Sequence, residues 1–288
     1  MDIRNIEVPA SYEKLEISVG TLFTIGEDQL KHYTKAFNLD EYPVNNINKA
    51  DSQILLKDYI GRIIEEISEG YESTSEIVDI LQTVGWNIAL LDKQGYKTVI
   101  NHIQNANEEQ ADAIGFFISL LLYSNVLADD ICNYVSQYFD DDNEEIIDLG
   151  HIMSFGVGLL YKINPAIMEA RGYTVLNPEL CNYYNLDYDK IGECTPGFNH
   201  ISEITHQVES NHLWYITHQL NITRNLLKNR PWKNNQVMSK EIEYQEALVR
   251  SFLMYLGFLT INGFTPHTII RLFIRKKLLN DWRIETGY

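Results

Sequence analysis

The last eighteen residues carry polar side chains at spacings suited to gripping a small anion. Lys276, Asn280 and Arg283 are separated by four and then three positions, so a helix would place them on one face. That face offers an ammonium, a carboxamide and a guanidinium. The cations can hold phosphate groups and the amide can read the polar edge of a ring. Arg275 is predicted to assist with phosphate.

Two pairs of carboxylates in the first half have the spacing of ligands for a divalent cation. Glu66 and Glu69 form one pair, Glu109 and Asp112 the other, and each pair would share one helical face. One isolated pair is typical of a solvated surface. These pairs border apolar stripes, however, where acids repel one another unless a cation balances them. Oxygen ligands favour Mg²⁺ or Mn²⁺, so the four acids are predicted to bind Mg²⁺.

The catalytic work is expected from the same acids. Glu66 and Glu69 are predicted to orient the attacking water besides binding the ion. Glu65 is an adjacent candidate base, although helical spacing turns it outward. A hard ion held by carboxylates suits a nucleoside triphosphate, because it neutralises phosphate charge.

Composition limits the classes of function. The 288-residue chain has a formal net charge of -17, so it lacks the broad basic face of a nucleic-acid binder. Three scattered cysteines are typical of reduced thiols in an intracellular protein. The N-terminus has no signal pattern, and the apolar run 116–126 is too short to cross a bilayer. We therefore expect a soluble cytoplasmic protein that binds a small molecule.

Helical periodicity dominates the chain and predicts an all-α fold. Helices are predicted over 54–71, 108–126, 129–139, 211–228, 240–260 and 265–282. Residues 124–131 (SNVLADDI) resemble residues 262–269 (NGFTPHTI), and each segment follows a long apolar stretch. We interpret this as two copies of one helical bundle, 1–145 and 146–288. Chance similarity between two helical hairpins is the alternative.

The order ExxE, ExxD and then K-x3-N-x2-R-x3-G-Y resembles the all-α NTP pyrophosphatases. The most similar branch holds the dimeric dUTPases and phage dCTPase/dUTPases, which are related to MazG-like proteins. The resemblance is strongest over 248–288, and residues 229–233 (NRPWK) resemble the family's tryptophan–lysine element. It implies Mg²⁺ on the acids, a pyrimidine on Asn280 and phosphates on the basic residues. The implied reaction cleaves a dNTP to the dNMP and pyrophosphate.

The chain departs from the family pattern in complementary ways. In the second half the ExxE position reads QLNI (219–222), and the ExxD position reads EALV (246–249) or ALVR (247–250). The first half keeps its acids but lacks a counterpart of the tail, the K-x3-N-x2-R-x3-G-Y motif. Its spacer, residues 69–109, is longer than the family's. Because family members are dimers, we predict a single-chain pseudo-dimer. One site would combine first-half metal ligands with second-half tail residues.

Further expectations follow from the resemblance. Gln29 is a candidate second base contact, Trp232 a candidate pocket wall and Tyr288 a candidate cover for the site. The chain would work as a monomeric pseudo-dimer or a homodimer, in a host cytoplasm if a phage encodes it. Two alternatives stay open: an inactive nucleotide-binding or regulatory protein, and a MazG-like enzyme for purine dNTPs. One amide cannot separate uracil from cytosine, because it can flip.

Overall fold

The computed structural model describes residues 6–39, 41–139, 147–163, 172–228 and 239–287, and these confirm the all-α prediction. Short 3-10 turns lie at Tyr12–Lys14 and Ile88–Leu90, and strands β1 (Tyr173–Thr174) and β2 (His200–Ile201) pair antiparallel. The α-helices described are α1 (Val19–Phe37), α2 (Ala50–Thr83), α3 (Lys93–Tyr123), α4 (Ala128–Ser136), α5 (Leu149–Ile163), α6 (Pro178–Tyr183), α7 (Tyr188–Cys194), α8 (Glu203–Leu226), α9 (Glu241–Ile261) and α10 (Pro266–Thr286).

All six helices predicted from periodicity are present as α2, α3, α4, α8, α9 and α10. The principal difference is length. α2 continues well past Tyr71, and α3 begins well before Glu108. Asp92 caps the start of α3 by accepting a hydrogen bond from the Gly95 amide at 2.7 Å. The paired strands β1 and β2 and the helices α1, α5, α6 and α7 were not predicted from periodicity.

α2 and α3 form a long hairpin that explains the extended spacer between the acidic pairs. Beyond Glu69, α2 runs for about four more turns, and α3 makes about four turns before Glu109. The two extensions have nearly equal length, so the acids on the two arms stay in register. Apolar residues on one face of α2, including Ile63 and Ile67, are buried in this contact. The long spacer therefore does not separate the motifs in space.

The turn between α3 and α4 repeats between α9 and α10. Asn125 and Gly263 have positive φ angles of 54° and 94°. The following amides, Val126 N and Phe264 N, donate to the carbonyls of Leu121 and Leu259 at 2.9 and 3.0 Å. The two helix pairs bend by 92° and 105°. The similarity between 124–131 and 262–269 is thus a shared turn geometry, whereas duplication of the complete halves stays a prediction.

The two halves of the chain share one hydrophobic core. α10 crosses from the second half to pack on α1 and α3, and α8 packs on α2. α9 approaches α5 closely because Gly156 and Gly257 face each other, and a methyl group on Gly156 would lie 2.8 Å from Gly257 N. The predicted boundary at 145 falls outside the described residues.

Among the described helices, none is by itself long and apolar enough to cross a bilayer. Two bent pairs, α3 with α4 and α9 with α10, meet the length and composition test only when taken together.

Candidate metal and nucleotide site

Three carboxylates meet near Gly70, where α2 lies close against α3. Glu66 and Glu69 from α2 and Glu109 from α3 each offer an oxygen, and these oxygens lie within 4.8 Å of one another. Gly70 allows this approach: a methyl group there would overlap the Gln110 side chain and lie 3.6 Å from Glu109 Cβ. The cluster is half-buried, and Glu69 is its exposed member.

Burial and the neighbouring charges change the pKa values of Glu66 and Glu109. Burial is the main cause that raises the pKa of Glu66 to about 8, and the charge of Asp112 and a hydrogen bond to Glu109 add to it. Burial also raises the pKa of Glu109, although Lys276 opposes that shift. At neutral pH and without a cation, this pKa favours the protonated Glu66 carboxyl, with Glu109 as the acceptor of its hydrogen bond. A divalent ion would replace that proton and relieve the repulsion.

Asp112, the fourth predicted ligand, has other partners. Its Oδ2 atom lies 2.9 Å from Lys276 Nζ, and Asn280 also interacts with its carboxylate. Burial raises the pKa of Asp112, and both partners from α10 oppose the shift. The prediction placed all four acids around one ion, whereas the structure groups three and pairs the fourth with α10. The reason is that α10 packs directly on α3 at Asp112.

Lys276 and Arg283 lie on the face of α10 that meets the acids. Lys276 is 4% exposed, and its Nζ atom also lies 3.5 Å from Glu108 Oε2. Burial lowers the pKa of Lys276, but Asp112 and Glu108 more than offset this and leave the pKa above its usual value. Arg283 Nη1 donates to Asn280 Oδ1 at 3.3 Å. The predicted set of ammonium, carboxamide and guanidinium therefore stands beside the acidic cluster.

Gln29 on α1 lies beside α3, near the Asp112 ion pair. Its Nε2 atom donates to Tyr33 Oη at 3.3 Å, and its buried Oε1 atom has no partner among the described residues. A methyl group on Gly115 would lie 3.9 Å from the Gln29 amide and 3.5 Å from Phe273 of α10. The charges of Asp112, Asp281 and Lys276 all act on Tyr33. Gln29 thus sits one helical turn from the Asp112 ion pair.

Other predicted residues lie elsewhere. Glu65 lines a groove between α2 and α8 with Arg62 and Arg224, on a different face of α2 from the cluster. Arg275 is buried against α7, where it pairs with Glu193 and donates to Cys194 Sγ at 2.7 Å. The structure does not bring either side chain to the cluster. Trp232 and Tyr288 lie outside the described residues.

Three residues near the site were not predicted: Glu108, Tyr33 and Tyr255. Tyr255 of α9 donates to Gln110 O at 2.7 Å and to Gln110 Oε1 at 3.0 Å, which makes it the buried floor below the cluster. Glu108 neighbours a predicted ligand, and Tyr33 follows Gln29 by one helical turn, so spacing could have indicated both. No sequence pattern indicated Tyr255, which lies inside the apolar run 252–259 of α9.

The three-acid cluster has the chemistry of a Mg²⁺ or Mn²⁺ site. All its donors are carboxylate oxygens, which these ions prefer, and its most exposed member leaves room for water ligands. Comparisons with protein-family models, with curated proteins and with solved structures found no match to this chain.

Proposed function

We propose that this chain is a Mg²⁺-dependent pyrophosphatase for deoxynucleoside triphosphates, with dUTP or dCTP as the preferred substrate. The observation that carries the proposal is the meeting of α2 and α3 with α10. Three carboxylates lie beside a cationic and amide-bearing face that follows them by more than 160 residues in the chain. Neither feature alone would support a nucleotide, because an acidic cluster repels phosphate and a lone basic face lacks a water-activating group.

In this proposal metal binding and phosphate binding fall to different side chains. Glu66, Glu69 and Glu109 hold the ion and orient the attacking water. Mg²⁺, when bound, would lower the charge of the phosphates and make water a better nucleophile. Lys276 and Arg283 neutralise the phosphates that leave as pyrophosphate. Asp112 is placed to fix Lys276, since they are 2.9 Å apart.

The amides favour a base that offers a hydrogen-bond donor. The Asn280 amide is already engaged, because its Oδ1 atom accepts from Arg283 Nη1 at 3.3 Å and Asp112 interacts with it. Gln29 donates to Tyr33, and its buried Oε1 atom is an acceptor with no partner among the described residues. Uracil presents a ring N–H and cytosine an amino group, so either base can satisfy this acceptor.

We also infer that the chain has one composite site. The shared α3–α4 and α9–α10 turns align Glu109 and Asp112 with Ala247 and Arg250, which cannot bind Mg²⁺. The described part of the chain has one group of three acids that could hold an ion, and it lies in the first half. This supports a pseudo-dimer in which each half supplies a different part of one site.

The test is a panel of dNTPs incubated with Mg²⁺ while pyrophosphate release is followed. We expect release with dUTP or dCTP and little with purine dNTPs, and removal of Mg²⁺ by EDTA should stop it. Release with purine dNTPs alone would favour a MazG-like enzyme instead. No release with any nucleotide, together with nucleotide binding in calorimetry, would favour the inactive binding protein.

A matched pair of variants on α2 ties activity to the cluster. Glu69→Gln removes an exposed ligand, and loss of ion positioning should lower the rate about 10²-fold. Glu76→Gln removes the same charge from an exposed position two turns further along and should leave the rate within about threefold. Equal rates in the two variants would refute the assignment of the metal ligands.

A further inference from the structure

The four acids of the site fall into two groups with different partners. Glu66, Glu69 and Glu109 form the cluster, whereas the Asp112 carboxylate faces the Lys276 ammonium at 2.9 Å and also interacts with Asn280. The partners of Asp112 named here both belong to α10. A carboxylate that is already paired with a buried ammonium is a poor ligand for a second divalent ion, because two cations would then compete for it.

The position of the ammonium is set by the packing of α10. Lys277, the next residue, lies 2.7 Å from Asp28 of α1 and 2.7 Å from Asp281. Asp281 in turn lies 2.7 Å from His32 Nδ1 of α1. These contacts hold α10 against α1 close to Lys276. If the Lys276 ammonium moved away from Asp112, each charge would lose its partner inside the protein, which is strongly unfavourable.

Glu108 provides a second carboxylate beside the Lys276 ammonium. It lies 3.5 Å from Lys276 Nζ and one helical turn from Asp112 on α3. The ammonium is therefore bracketed by two carboxylates, as a second metal ion would be. At 4% exposure Lys276 has almost no contact with solvent that could draw it away.

We propose that the site takes a single divalent ion, held by Glu66, Glu69 and Glu109, and that the Lys276 ammonium stands in the place of a second ion with Asp112 as its counter-ion. This inference rests on the proposed function. It assigns Asp112 to positioning Lys276 and Asn280 and removes it from the metal ligands. The second positive charge near the phosphates would then come from the protein itself.

The experiment counts Mn²⁺ ions bound to the purified chain without nucleotide, by electron paramagnetic resonance and calorimetry. We expect one tight ion with the spectrum of an isolated centre. Lys276→Met frees Asp112 and should admit a second ion, seen as magnetic coupling between two close centres. Asp112→Asn should keep one ion with affinity within about threefold, whereas loss of a true ligand lowers affinity ten- to a hundredfold. Glu69→Gln, which removes a cluster ligand, provides that comparison.

The outcomes separate this inference from the function on which it rests. Two coupled ions in the native chain, or a tenfold loss of affinity in Asp112→Asn, would overturn the one-ion site while pyrophosphate release still stood. No bound ion and no pyrophosphate release would remove both. The Asp112→Asn result decides the matter even if Lys276→Met fails to fold, since circular dichroism reports folding of each variant independently.

Discussion

Gly70 is the point where α2 and α3 come close enough for the acids to meet, so its replacement tests how the site is built. Gly70→Ala adds a methyl group that would overlap the Gln110 side chain. Gln110 is 1% exposed and its Oε1 atom accepts from Tyr255, so it has little freedom to move aside. Gly61, on the same helix, has no heavy atom within 4 Å of its added methyl group and is the matched control.

The magnitudes follow from opposing effects. Replacing a mid-helix glycine by alanine stabilises a helix by about 1 kcal/mol, and Gly61→Ala should show this gain. In Gly70→Ala, overpacking costs about 1–3 kcal/mol. Loss of the Tyr255–Gln110 hydrogen bond adds about 1 kcal/mol. Gly70→Ala should therefore be destabilised by roughly 1–3 kcal/mol, which leaves the two variants about 2–4 kcal/mol apart.

Urea unfolding followed by circular dichroism measures this difference as a shift in midpoint at constant slope. A second readout is the rise in melting temperature on adding Mg²⁺, because separated helices would hold the ion less tightly. We expect this rise to shrink in Gly70→Ala and to persist in Gly61→Ala. If Gly70→Ala were as stable as Gly61→Ala and responded equally to Mg²⁺, the close helix contact would not be what assembles the cluster.

Two further predictions concern the second half. His212 is fully buried, and burial lowers its pKa to about 4 from 6.5. Between these two pH values only the unfolded chain takes up a proton. The free energy of unfolding should therefore fall as the pH drops, by about 2 kcal/mol from pH 7 to 5. His212→Leu should flatten that dependence in urea midpoints, and an unchanged slope would contradict it. Gly156→Ala would place its methyl group 3.0 Å from Gly257 Cα and should cost about 3 kcal/mol in the same assay, whereas Gly158→Ala, with open space around it, should gain about 1 kcal/mol as Gly61→Ala does.

Periodicity was sufficient to predict the long helices because each has an apolar face of the expected spacing. Periodicity did not predict the residues at which these helices begin and end. α2 continues past Tyr71 because Thr74, Ile77 and Val78 keep its buried stripe going. α6 and α7 have six and seven residues, too few for a periodic pattern to stand out from chance.

The site residues could be predicted as far as one helical face determines them. Spacing alone placed Lys276, Asn280 and Arg283 together, and it paired Glu66 with Glu69. It could not divide the acids between a cluster and an ion pair, because that depends on where α10 docks. Arg275 shows the same limit: it is the neighbour of Lys276 in the sequence, yet its side chain pairs with Glu193 of α7. Contacts between elements distant in sequence have no signature in local spacing.

The crossing of α10 from one half to the other has a consequence for how the protein is made. The acids of α2 and α3 leave the ribosome more than 160 residues before Lys276. At about 5–20 residues per second, the nascent chain carries its acids without their ammonium partner for roughly ten to thirty seconds. On the proposed function, phosphate binding would await α10, so the chain could not capture a nucleotide before α10 has left the ribosome.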